Sequence, residues 1–140
     1  MKKVLFTGLI MVLLFGLIQL IPYGKDHTNP TPGSEPNWDS PTTRELAVRA
    51  CFDCHSDFTV WPWYSNVAPV SWLVYRDVVE GRQRLNFSEW NTRTQNIREF
   101  SEKINEGEMP PFQYTIIHKN AILDVTQKKA LINGLTKTFQ

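Results

Sequence analysis

The stretch Cys51-Phe52-Asp53-Cys54-His55 organises the chain, because it holds both cysteines of the 140 residues and a histidine directly after the second. This C-x-x-C-H pattern is the attachment sequence of c-type haem. On one helical turn, cysteines three residues apart can form thioethers with the two haem vinyl groups, and the next residue then faces the iron as an axial ligand. The motif predicts one covalently attached haem c per chain, held by Cys51, Cys54 and His55.

Three other chemistries fit this pair of cysteines less well. A redox dithiol is typical of a βαβ context, and no strand pattern precedes Cys51. A zinc site needs four ligands, and only His27 and His118 remain as further histidines. A disulfide within so short a loop would stabilise the fold little.

The N-terminal segment is strongly apolar. Lys2 and Lys3 precede an apolar run over residues 4–21, which as a helix would reach about 27 Å against a bilayer core of roughly 30 Å. No A-x-A cleavage signal follows, so we expect residues 1–21 to be an uncleaved transmembrane anchor rather than a cleaved signal peptide. The two lysines place the N-terminus in the cytoplasm. The expected location is the inner membrane, single-pass, with the soluble domain in the periplasm, on the side where haem is attached.

Residues 22–41 differ sharply in composition, with five prolines, two glycines and several polar residues. Such a stretch buries too little apolar surface to fold and favours extended geometry. We expect it to be a periplasmic linker that holds the domain off the membrane. Residues 42–140 are expected to form the c-type haem-binding domain.

Helical signals recur through this domain, and no strand pattern of period two persists. Helix starts are predicted at Ser40, Ser71, Ser88 and Asp124, and helix ends at Cys51, Gly81 and Gly107. Gly134 inside the last helix costs roughly 1 kcal/mol relative to Ala, which indicates a close helix crossing, onto Ala47 or Ala50. The expected fold class is all-α: a small cytochrome c-like helical domain around one covalent haem, preceded by the N-terminal transmembrane helix.

Met109 is the candidate for the second axial ligand. It is the only methionine outside the N-terminal segment, and Pro110 and Pro111 restrict its loop. An ordinary packing role in the core is the alternative for this residue. His118, which would give bis-histidine ligation, and an open sixth position are the other possibilities for the iron.

Further candidate haem contacts follow the attachment motif. Trp61 and Trp63 belong to a long loop that is expected to cover one haem face, because long loops in compact domains are uncommon unless functional. A backbone carbonyl near Pro69 is expected to accept from Nδ1 of the motif histidine, since metal-bound histidines donate their other ring N–H. Arg82 and Arg84 are candidates to pair with haem propionates, with solvated surface positions as the alternative.

Several separate segments carry a family resemblance. They are Cys51–Ser56, Trp61–Ser65, Ala68–Leu73, Gly81-Arg82, Leu85–Ser88, Trp90, Met109–Pro111, Tyr114 and His118. With them, the chain from about Thr43 to its end resembles the bacterial haem-binding domain family, a group of small class I-like c-type cytochromes. The resemblance implies a haem-binding, electron-transferring domain with an unspecified partner. The family's pattern in the last helix is only partly matched, at Leu123–Gln127 and Gly134-Leu135.

Electron transfer is the function that the sequence favours. The predicted protein is a membrane-tethered monohaem cytochrome c, not an enzyme, whose redox partner is unknown. With both axial positions filled by the protein, no position is left for a substrate. The alternatives are a haem-based enzyme or sensor accessory domain with an exchangeable sixth ligand, and a non-redox docking domain. The net charge of +1 argues against nucleic acid as a partner.

Overall fold

The computed structural model describes residues 1–92 and 96–139, and these form seven α-helices and no strand. The helices are α1 (Lys2–Ile18), α2 (Pro41–Ala50), α3 (Phe52–His55), α4 (Val70–Arg84), α5 (Ile97–Glu106), α6 (Phe112–Ile117) and α7 (Val125–Thr138). Short 3-10 helices lie at Trp63–Asn66, Trp90–Thr92 and Lys119–Ala121. The all-α part of the predicted fold class is confirmed for the described residues.

Helix α1 is shorter than the transmembrane helix that the apolar run predicted. Its 17 residues reach about 25 Å at the helical rise, whereas a bilayer core is roughly 30 Å thick. The helix ends at Ile18, and the next side chain, Gln19, both donates to and accepts from the backbone of Ala68 in the helical domain. Within residues 1–92 and 96–139, no helix combines the length and the apolar character needed to cross a membrane. The predictions of a transmembrane helix, of membrane anchoring and of a single-pass inner-membrane location are therefore wrong.

Residues 22–40 form no helix and lie against the helical domain. In the middle of the segment, the Asn29 side chain donates to the Thr59 carbonyl at 2.9 Å. Near its end, Glu35 accepts two hydrogen bonds from the Arg44 guanidinium of α2, at 2.7 and 2.8 Å. The proline-rich segment is thus fixed to the domain at several points along its length.

A hydrophobic core lies between α2, α3, α5 and α7. Its buried residues are Leu46, Ala47, Ala50, Phe52, Leu85, Phe87, Ile104, Leu123, Leu131 and Leu135. Trp38 of the proline-rich segment packs against Phe52 and Phe87, with ring centroids 6.3 and 5.2 Å away. The segment that precedes α2 therefore contributes to the core as well as to the surface.

Three helix boundaries follow the predictions. The Ser40 side chain accepts from the backbone N–H of Thr43 at the start of α2. Asp124 and Gln127 form a reciprocal capping box at the start of α7. Gly107 ends α5 in the left-handed conformation, with a φ of 79° that favours glycine.

Other boundaries differ from the predictions. Ser88 begins no α-helix, because its hydroxyl accepts from the backbone N–H of Asp57, and α5 begins nine residues later at Ile97, after an Asn96 cap. Helix α4 has Pro69 rather than Ser71 as its N-cap residue, and it continues through Gly81. The six-residue helix α6 was not predicted at all. The error at Ser88 arises because a side chain used as a local signal is instead bonded to a distant part of the chain.

The close helix crossing predicted at Gly134 is confirmed, although its partner is Thr43 rather than Ala47 or Ala50. A Cβ at position 134 would overlap the side chain of Thr43. Thr43 itself is buried in α2. Glycine is therefore required in the middle of α7 for α2 and α7 to pack at this separation.

Gly134→Ala should lower the free energy of unfolding by about 1–3 kcal/mol, because overpacking outweighs the roughly 1 kcal/mol gained in helix propensity. Urea unfolding followed by circular dichroism measures this change. The double variant Thr43→Ala/Gly134→Ala removes the overlapping side chain and should be more stable than the sum of the two single effects predicts. Additive single effects would contradict the proposed contact.

Candidate functional site

The C-x-x-C-H motif lines a large cavity in the helical domain. The space between the lining residues is about 1030 Å³, a volume that includes solvent at the open mouth of the cavity. Its apolar wall consists of Ala50, Leu85, Phe87, Phe100, Ile104, Leu123, Leu131 and Leu135. Much of the hydrophobic core is therefore also the wall of this cavity.

The motif packs against α4 at Gly81. A Cβ on this residue would overlap the carbonyl oxygen of Cys54. Because glycine has no side chain, the backbones of α3 and α4 approach each other closely at this point. Gly81 was predicted to end the helix, but in the structure it allows the C-x-x-C-H motif to pack closely against α4.

His55 is buried, and two backbone carbonyls orient its ring. Nδ1 lies 3.0 Å from the Gly81 oxygen and 3.1 Å from the Leu85 oxygen. Since a carbonyl can only accept, Nδ1 carries the proton, and Nε2 keeps a lone pair that can bind a metal. The predicted acceptor near Pro69 is wrong, because the Pro69 carbonyl accepts from the Trp72 N–H in the first turn of α4.

The protonation state of His55 suits a metal ligand. Burial lowers its pKa, although the two hydrogen bonds to backbone carbonyls act in the opposite direction. The neutral imidazole is the form that coordinates metals. The environment of this ring therefore favours the ligating form at neutral pH.

Cys51 and Cys54 are free thiols. Burial raises the pKa of each to about 12, and in Cys54 the negative charges of Asp77 and Asp53 add to the effect. Both thiols are therefore neutral near pH 7, whereas a redox dithiol and a zinc site depend on thiolates. Among the described residues, no group of three or more His, Cys, Asp or Glu side chains could hold a metal ion. The apolar wall of the cavity suits an organic cofactor.

Met109 lines the same cavity as His55. It follows the end of α5, and its backbone N–H donates to the Lys103 carbonyl at 3.1 Å. His118 lines a neighbouring cavity instead, where its Nε2 lies 2.6 Å from the Tyr64 hydroxyl. The structure thus brings the thioether, and not the second imidazole, into the cavity that contains the motif histidine.

Three other candidate residues lie away from the cavity wall. The Trp61 ring stacks on a histidine of the proline-rich segment, with centroids 4.4 Å apart, and Trp63 is 79% exposed. Arg82 donates from Nε to the Ser56 carbonyl at 2.9 Å, so it fixes the loop after the motif. Arg84, unlike Arg82, lines the cavity.

The sequence did not reveal a hydrogen bond that joins α6 to the motif. Asp53, between the two cysteines, accepts from the Tyr114 hydroxyl of α6 at 2.6 Å. An acidic residue at this position was visible in the sequence. Its partner is 61 residues away, and nothing in the local pattern around Tyr114 indicates the contact.

Fold and site together define a class of protein: a small all-α domain whose core surrounds a cofactor cavity that a C-x-x-C-H motif lines. The haem-binding domain family matches residues 13–137. The chain therefore belongs to the haem-binding domain family, as predicted, and its cofactor is haem. A comparison with curated proteins found no match. A comparison with solved structures also found none.

Gly81→Ala should disturb the site, because the added methyl group would push α4 away from the Cys54 backbone. We expect a loss of about 1–3 kcal/mol in the free energy of unfolding and reduced haem content, measured by urea unfolding and by the ratio of haem to protein absorbance. Arg76→Ala, at an exposed position of the same helix that does not line the cavity, is the matched control and should be nearly neutral. Equal behaviour of the two variants would argue against the close contact.

Proposed function

We propose that this protein is a monohaem c-type cytochrome, which transfers electrons through one covalently attached haem. A single observation carries the proposal: two free thiols, an oriented neutral imidazole and a thioether line one apolar cavity. When bound, the haem supplies reversible one-electron Fe(II)/Fe(III) chemistry. The function is that of an electron carrier rather than an enzyme.

The residues that line the cavity have separate roles. Cys51 and Cys54 would hold the haem through thioether bonds, and the neutral thiols that burial favours are the groups consumed in forming them. His55 would bind the iron through Nε2, with its ring already oriented by the backbone of α4. Met109 would supply a second protein ligand to the iron, which would leave no position for a substrate.

The cavity wall tunes the potential. Its apolar side chains exclude water, and a low-dielectric surrounding disfavours the more highly charged ferric form. A methionine ligand acts in the same direction. Arg84 at the cavity is the candidate partner for a haem propionate, and its guanidinium also pairs with Glu99 at 3.6 Å. We therefore expect a higher potential than that of a bis-histidine cytochrome.

Covalent attachment can be tested by acid–acetone extraction of the purified protein. Wild-type haem should stay with the polypeptide, because thioethers resist this treatment. Cys51→Ala and Cys54→Ala should each retain haem through one thioether, and the double variant should release it. Haem that is extractable from the wild type, or a zinc-loaded protein, would contradict the proposal.

The sixth ligand can be identified by comparing Met109→Ala with His118→Ala. An iron–thioether bond gives the ferric protein a weak charge-transfer band at the red end of the visible spectrum. Met109→Ala should abolish this band, lower the reduction potential and allow carbon monoxide to bind the ferrous protein. His118→Ala, in the neighbouring cavity, is the matched control and should keep the band.

If His118→Ala abolished the band and Met109→Ala had no effect, the iron would have bis-histidine ligation instead. A wild-type protein that binds carbon monoxide directly would instead have an exchangeable sixth position. Such a protein would be a haem enzyme or sensor domain rather than an electron carrier. Reduced-minus-oxidised spectra with and without carbon monoxide separate these cases.

A further inference from the structure

Helix α6 follows the methionine loop directly, yet it contributes no buried residue. Three of its four aliphatic and aromatic residues are largely exposed: Phe112 at 77%, Ile116 at 49% and Ile117 at 58%. Because hydrophobic stabilisation scales with the apolar area removed from water, burial does little to hold this helix in place. Its position must depend on other contacts.

Two short side-chain hydrogen bonds join α6 and its C-terminal cap to the rest of the domain, beside a longer one from Gln113 to Asp77 at 3.4 Å. The Tyr114 hydroxyl donates to Oδ2 of Asp53 at 2.6 Å. At the C-terminal end of the helix, Nε2 of His118 lies 2.6 Å from the Tyr64 hydroxyl. The first contact reaches directly into the haem-attachment motif, since Asp53 lies between the two cysteines. The second contact reaches only the loop that follows the motif.

Asp53 is itself held in place, so it offers a fixed acceptor. Its Oδ1 accepts from the Val60 N–H at 3.2 Å, and its backbone carbonyl accepts from the Thr59 hydroxyl at 2.7 Å. A hydrogen bond to a carboxylate is stronger than one between neutral groups. The bond from Tyr114 therefore has both a rigid partner and a charged one.

Tyr114 is equally well connected to the methionine loop. Its backbone N–H donates to the Pro111 carbonyl at 3.0 Å, and Pro111 is two residues after Met109. Its ring stacks on His118 with centroids 4.2 Å apart and planes 10° apart. Tyr114, Met109, Pro110 and Pro111 all line the cavity. A displacement of Tyr114 would therefore be transmitted to Met109 through a short, proline-stiffened segment.

We propose that Tyr114 and Asp53 are positioning residues, whose hydrogen bond fixes α6, and with it the Met109 loop, against the haem-attachment motif. The proposal rests on the proposed role of Met109 as the axial ligand. Neither residue touches the iron in this arrangement. Their effect is to keep the thioether within reach of it.

The test uses the full chain with its haem attached and measures how easily Met109 is displaced. Imidazole added to the ferric protein competes for the sixth position, and the loss of the red charge-transfer band reports the displacement. Tyr114→Phe keeps the ring and removes only the hydroxyl. The apparent dissociation constant for imidazole should fall about tenfold, the effect expected from losing one hydrogen bond to a charged group. Covalent haem content should not change.

The matched control is Tyr75→Phe, the same substitution on α4, where the ring packs against Tyr23. It should leave the imidazole titration unchanged. Asp53→Ala should act like Tyr114→Phe, and the double variant should be no more sensitive to imidazole than the more affected single variant, because both changes remove the same bond. Additive effects of the two changes, or an unchanged titration in Tyr114→Phe, would overturn the proposal.

A second measurement does not depend on the iron. Amide hydrogen exchange in α6 should be about tenfold faster in Tyr114→Phe than in the wild type, because local opening loses the same bond. If the wild type lacks the thioether band, the proposed role of Met109 fails, and the exchange rate alone then decides whether the hydrogen bond fixes α6. Unchanged exchange would overturn the proposal in either case.

Discussion

The hydrogen bonds from the His55 ring to the backbone of α4 are the constraint on which the site depends. Nδ1 is shared between the carbonyls of Gly81 and Leu85, and the His55 carbonyl accepts from the Phe87 N–H at 2.8 Å. A buried ring left without these partners would carry the full cost of desolvation. The contact requires α3 and α4 to lie within backbone distance, which only a glycine at position 81 allows. The orientation of one histidine ring thus depends on how closely two helices pack.

The hydrophobic core and the cofactor cavity are built from the same residues. Leu131 and Leu135 of α7, Ile104 of α5 and Phe87 belong both to the core and to the cavity wall. An unfilled cavity leaves such side chains without contacts on one side, which lowers the stability of the fold. Haem binding supplies these contacts and adds its binding free energy to folding. Stability and cofactor binding are therefore coupled in this domain.

The two sides of the site are held by different kinds of contact. On the histidine side, α3 packs closely on α4, and buried backbone groups make the hydrogen bonds. On the methionine side, α6 buries no residue and depends on polar contacts between side chains, such as that between Tyr114 and Asp53. Segments with few buried apolar contacts open at the lowest free energy. We infer that the methionine side is the more adjustable of the two.

The sequence by itself determined the cofactor class, the all-α fold and the helix caps at Ser40 and Asp124, because each depends on residue types at short, fixed spacings. It also indicated Met109, since no other methionine lies in the helical domain. The tertiary structure alone decided which carbonyl groups orient His55 and that Gly81 allows α3 and α4 to approach closely. It also decided that residues 112–117 form α6 and that this helix is hydrogen-bonded to the motif. These contacts join residues 26, 30 and 61 positions apart, and no local pattern encodes such pairings. The length of α1 was also decided there, because a difference of a few residues at its end separates 17 helical residues from a membrane-spanning length.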